Sequence, residues 1–214
     1  MELKPETRKA SEKAEVITTE QEKVYHSIWL ERGSFRIVLI STFTALAIVL
    51  GYLLHQFINI ELFTLTIFLS GFILGKRDGI IVGFLSSFVY CFFNPLNPSP
   101  LPLLIFQLTH YSFTGFIGAL TNDILSKKEI FNSEKDLYNF SMMFLFGSIG
   151  ALITIYFQIF ATFFYTISFS GDISLFIPNF LTNLIFTIIH IIGNTLGFIF
   201  ILPGLIQLIS RMLH

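Results

Sequence analysis

Phe72-Ile73-Leu74-Gly75-Lys76-Arg77-Asp78-Gly79-Ile80-Ile81-Val82-Gly83-Phe84-Leu85-Ser86-Ser87-Phe88 decides the fold. Three charged residues stand between two apolar runs. Placed at the centre of a bilayer, each would cost about 3 kcal/mol or more without a partner. A re-entrant hairpin would put them there. A full hairpin, with Lys76 and Arg77 at a membrane surface, is cheaper. The stretch therefore reads as the end of one membrane span and the start of the next.

Other spans follow from the same criterion, about 20 mostly apolar residues per crossing. They are Phe35 to Leu54, Phe57 to Gly75, Gly79 to Phe93 (extending to about Leu96), Pro102 to Leu125, Phe140 to Ile167 and Leu175 to Ile209. The last carries Pro178 near its start and Pro203 near its end, positions suited to a first turn and to a kink. The expected fold is an all-α membrane protein, a bundle of six transmembrane helices. Residues 1–34 form a polar tail and residues 35–214 the membrane domain, with Tyr25 and Trp29 expected at the interface.

Composition agrees. Only 13% of the 214 residues are charged, against about 25% in soluble domains, and Phe alone contributes 27. The mean hydropathy is +0.74. A net charge of −1 argues against a nucleic-acid partner. Cys91, the single cysteine, suits a buried apolar role.

All 13 basic residues fall on one side of these spans. Lys4, Arg8, Lys9, Lys13, Lys23, Arg32 and Arg36 precede or open the first. Lys76 and Arg77 lie between the second and third, Lys127, Lys128 and Lys135 between the fourth and fifth, and Arg211 near the end. The excess of Lys and Arg marks the cytoplasmic face, so both termini are expected in the cytoplasm of a multi-pass cell-membrane protein. The outer connections, near residues 55–60, 94–101 and 168–177, carry no Lys or Arg.

Polar residues within spans are costly and so are candidates for function. In the fourth span Gln107, His110, Tyr111, Thr114 and Gly118 fall within about a third of the helix circumference. In the sixth, Asn179, Asn183, Thr187, His190, Asn194 and Gly197 occupy a sector of about 80°. Two roles are open to these stripes. They bond helix to helix, at about 0.6 kcal/mol per pair, or they line a shared outward-opening pocket. Asn194 and Thr114 suit the first role; Gln107, His110, Tyr111, Asn183, Thr187 and His190 suit the second, with Gln158 of the fifth span beside them. The proline-rich connection Asn94-Pro95-Leu96-Asn97-Pro98-Ser99-Pro100 adds Asn94 and Asn97 as rim candidates. His55, Gln56, Asn59 and Glu61 line the first outer turn, and Asp172 lies in the last.

No HExxH, G-x-S-x-G or P-loop sequence occurs, and no carboxylates pair within a span, so no catalytic, metal or cofactor site is expected. Small residues recur at helical spacing in the first span, as Ser41 with Ala45 and Ala47 with Gly51. Such pairs let helices approach closely. Gly71, Gly75, Gly79 and Gly83 are expected to let the second and third helices pack tightly.

The opening stretch, together with Asn94-Pro95, Pro100-Leu101-Pro102-Leu103-Leu104, Gln107 and Gly115-Phe116-Ile117-Gly118-Ala119-Leu120, resembles the substrate-binding S components of energy-coupling factor (ECF) transporters over about residues 35–210. The resemblance implies capture of a vitamin or similar micronutrient from outside. It also implies association with a transmembrane coupling subunit and two ATPases, and toppling to release the ligand inside. It makes the small-residue pattern of the first helix the coupling contact; both pairs fit, although the strict Ala-xxx-Ala form is absent. A dimeric secondary transporter or a membrane scaffold is the alternative.

Overall fold

The computed structural model describes residues 32–54, 62–94, 98–127 and 137–213. Among these, α-helix dominates and no strand occurs. In chain order the helices are α1 (Gly33–Leu54), α2 (Phe63–Leu74), α3 (Lys76–Phe92), α4 (Leu101–Ser126), α5 (Phe140–Ser170), α6 (Phe176–Thr182), α7 (Leu184–Leu196) and α8 (Leu202–Leu213). A 3-10 turn, Ile173–Leu175, precedes α6, and a π-helical turn, Gly197–Ile201, joins α7 to α8. Among the described residues, four stretches are long and apolar enough to cross a membrane: Gly33–Leu54, Leu101–Ser126, Phe140–Ser170 and Leu184–Met212. The expected tail, and Tyr25 and Trp29 within it, lie outside the described residues.

Three expected spans differ in the structure; the third is a helix of 17 residues, α3, and is not among the four stretches of crossing length. The described part of the second is 12 residues long, about 18 Å of helix; Phe57 to Glu61 fall outside the described residues. The sixth is not one continuous helix. At Asn183 the side-chain Nδ2 and the backbone N–H both donate to Asn179 O, at 2.9 and 3.2 Å, and the local geometry leaves the helical range. Side-chain competition for a helix carbonyl has this effect. Further on, Pro203 has no N–H to give, and Leu202 N donates to Gly197 O, the wider i→i+5 spacing of a π turn. Tyr138 Oη donates to the nearby Phe200 O at 2.8 Å.

Gly75 turns α2 into α3 at φ 91°, a conformation that favours glycine. The helix that follows opens three residues earlier than the apolar pattern predicts, because Asp78 joins its first turn. There its carboxylate meets the positive end of the helix dipole, and Arg36 of α1 donates to Asp78 Oδ2 from Nε at 2.8 Å. Lys76 pairs with Asp123 of α4 at 2.7 Å, and Asn122 Nδ2 donates to Phe72 O at 2.9 Å. The charged stretch of the hairpin thus sits at one end of the bundle, with the start of α1 and the end of α4.

The expected glycine packing is real, but its centre is α4. A Cβ on Gly71 would strike the Gly115 carbonyl, one on Gly79 would strike Gly71 and Gly115, one on Gly83 the Tyr111 carbonyl and one on Gly118 the Phe68 carbonyl. Helices α2, α3 and α4 therefore meet backbone to backbone. Around them lie two apolar clusters. Phe43, Phe68, Phe72, Phe146, Phe198, Leu202 and Ile206 belong to one. Ala47, Phe63, Ile67, Cys91, Leu104 and Tyr111 form the other, toward the uncharged end.

Candidate functional site

Helix α5 packs between α4 and α7, and its polar face is a ladder of threonine and glutamine. Asn194 Nδ2 of α7 donates to Thr154 Oγ1 at 2.9 Å, Gln158 Nε2 donates to Thr187 Oγ1 at 3.2 Å, and Asn179 Nδ2 of α6 donates to Thr166 Oγ1 at 3.1 Å. Residue numbers rise along α5 as they fall along its partners, as antiparallel neighbours require. Thr154 commits its own hydroxyl proton to Gly150 O at 2.8 Å. It can only accept from Asn194, which fixes which way that amide points. Asn194 Nδ2 also lies 3.2 Å from His190 Nε2. That nitrogen is therefore the acceptor of the ring, and the ring proton sits on Nδ1.

The aromatic side of the site comes from α4 and α5. His110 is buried, stacked at 15° on Tyr156 with centroids 5.7 Å apart, and in contact with Phe106, Tyr111 and Phe157. Phe157 touches His110 at 5.0 Å and His190 at 6.0 Å, so one ring links the two polar stripes. Phe106 extends the cluster to Phe160 and Phe164. Helices α4, α5 and α7 carry no acidic or basic residue along this interface; Asp123 lies at the far, charged end of α4.

The structure gathers some of the expected residues and not others. His110, Tyr111, Thr187, His190 and Asn194 are buried together with the half-buried Gln158. Gln107, one turn before His110, is half-buried, and its Oε1 has no hydrogen-bond partner. Thr114 is buried and donates to its own helix at His110 O. Asn183 is exposed and bonded to Asn179, away from His190. Asn94 is half-buried just beyond α3, where Ser99 N donates to Cys91 O at 3.1 Å and folds the connection back. Asn97, His55, Gln56, Asn59 and Glu61 lie outside the described residues. Phe157 and Thr154 escaped the sequence reading. Phe157 is one of 27 phenylalanines with no distinguishing pattern; Thr154 stands four residues before Gln158, the spacing that would have shown a polar edge on α5.

The two small-residue pairs of α1 face opposite ways. Ser41 and Ala45 are exposed. Ala47 is fully buried, and a Cβ on Gly51 would come within 2.9 Å of Tyr90 and 3.1 Å of Phe63. At the opposite end from Lys76 and Asp123, Asp172 Oδ1 accepts from Ser174 N at 2.9 Å. Bonds from the Ser174 backbone and side chain hold its carboxyl below the ordinary carboxylate value.

Apolar helices of spanning length around an internal aromatic and polar cluster define a multi-pass membrane protein. The family of ECF transporter substrate-specific components matches residues 35–213. The chain belongs to that family and is a membrane-embedded, substrate-specific transporter subunit. No curated protein and no solved structure matches it.

Proposed function

We propose that this chain is the S component of an ECF-type importer in the cell membrane. It captures a vitamin or related micronutrient from outside and delivers it inward with a transmembrane coupling subunit and two ATPases. In this reading the membrane domain spans six times, and both termini are cytoplasmic. The observation that carries the binding site is the meeting of two polar stripes across Phe157, with His110 on one side and His190 on the other. Gln107, Tyr111, Gln158 and Thr187 complete its wall, with Asn94 toward its rim; Asn97 is a rim candidate on the sequence alone. Asn183 is assigned to helix geometry, on the strength of its bond to Asn179.

Of the two small-residue pairs, Ser41 with Ala45 is the coupling contact. It is exposed, whereas Ala47 and Gly51 are taken up by Phe63 and Tyr90. The test is a pull-down of the tagged chain with an uptake assay. Coupling subunit and ATPases are expected to copurify. Ala45→Trp is expected to abolish uptake and leave small-molecule binding intact, and His110→Ala to weaken binding about tenfold. Transport by the chain alone in liposomes would instead identify a dimeric secondary carrier.

A further inference from the structure

We infer that the molecule bound at the α4–α5–α7 interface is a flat, uncharged heteroaromatic ring system that donates a ring N–H or amino N–H to Asn194. The inference rests on the reading of that interface as the substrate site and narrows its ligand. It starts from the hydrogen-bond arithmetic of one side chain. Asn194 is 2% exposed. Its Nδ2 lies within hydrogen-bond distance of both Thr154 Oγ1 and His190 Nε2, and the Thr154 hydroxyl, which donates to Gly150 O, is left to accept. Its Oδ1 is left buried with no hydrogen-bond partner. A buried carbonyl oxygen in that state is an acceptor waiting for a donor.

Gln107 Oε1, on the other polar stripe, is a second buried acceptor without a partner. Each of these two oxygens calls for a donor from the ligand. The rest of the wall sets the ligand's shape and charge. His110 lies among Phe106, Tyr111, Tyr156 and Phe157, faces suited to stacking on a planar ring. No Lys or Arg occurs between residues 78 and 126 or between residues 136 and 210, so no guanidinium or ammonium is at hand to hold a carboxylate or phosphate.

The experiment uses the full chain in lipid nanodiscs and matched probes: xanthine against caffeine, lumichrome against its 1,3-dimethyl derivative, and nicotinate as a flat anion. Small molecules that copurify with the chain are identified by mass spectrometry. At least one N–H compound is expected to bind, with its N-methylated counterpart at least about tenfold weaker. In Asn194→Ala that ratio is expected to fall to about threefold or less. The wild-type ratio stands as a test even if this variant does not fold. Equal binding of methylated and unmethylated compounds overturns the inference, as does a preference for nicotinate. Failure of every N–H probe, with a copurified molecule that is anionic or lacks an N–H, overturns it and leaves the substrate site standing. A chain that holds no small molecule in either assay overturns both.

Discussion

The α2–α3–α4 unit and the α5–α7 pair are both helix contacts in an apolar chain, yet they are built from opposite materials. In the first, every residue of α2 but Ile73 is buried, and glycines bring backbone against backbone at Gly71, Gly79, Gly83, Gly115 and Gly118. In the second, α7 buries only Thr187, His190 and Asn194, all three polar. The bonds across that contact run between side chains. Within a membrane, water supplies no hydrophobic drive between helices, so close packing and interhelical hydrogen bonds do the holding. The first unit relies on packing and is rigid by geometry. The second relies on bonds that a polar ligand can join or replace. The candidate site lies where the second meets the first, at the α4–α5 boundary.

The largest effect is expected from filling the glycine contact. Gly115→Val puts side-chain carbons into the Gly79 backbone, which cannot yield, at a cost of about 3 kcal/mol or more. Loss of monodisperse protein on size exclusion is the expected result. Gly147→Ala, where a Cβ meets the side chains of Ile199 and Thr195 rather than backbone, is expected to cost about 1 kcal/mol. Equal tolerance of the two variants would erase the proposed difference between the regions.

Next in size is Asp78→Asn, which weakens the pair that ties α1 to the glycine-packed unit. Asp78 is buried but the Arg36 side chain is 41% exposed, so solvent screening holds the expected loss to about 1–2 kcal/mol. Thermal melting in detergent reads it, and an unchanged midpoint would show that α1 is held by packing alone. Thr154→Val removes one rung of the α5–α7 ladder, at about 0.6 kcal/mol. A loss several times larger would mean that this pair is as tightly built as its neighbour.

The smallest effect concerns the turn that leads into α6. The carboxyl of Asp172 is held below its ordinary value by Ser174, so its contribution is present above the unfolded carboxylate value. It is lost as pH falls through the lower, folded one. Faster hydrogen exchange at the Ser174 amide is expected only on that acid side, and Asp172→Asn should remove the pH dependence.

Much of the fold was legible because a bilayer imposes length and charge rules on sequence. The apolar runs predicted α1, α4 and α5, and Lys76-Arg77-Asp78 marked the turn between α2 and α3. The break at Asn183 was not legible, because side-chain competition for one carbonyl leaves no trace in hydropathy. The stripe containing His190 was visible as a sector of the helix wheel, but Asn183 belonged to that sector and is exposed, bonded to Asn179.

By itself, the sequence determined that the chain is helical and apolar enough for a membrane, with its basic residues confined to the tail, the ends and two connections of the expected spans. It also determined that two helices carry polar stripes, since spacing along a helix sets the face a residue occupies. Only the tertiary structure decided what those faces meet. It assigned the α2 and α3 glycines to α4, buried Ala47 and Gly51 while leaving Ser41 and Ala45 exposed, and set Phe157 between the two histidines. The reason is that periodicity describes one helix at a time, whereas a contact depends on the rotation and depth of two.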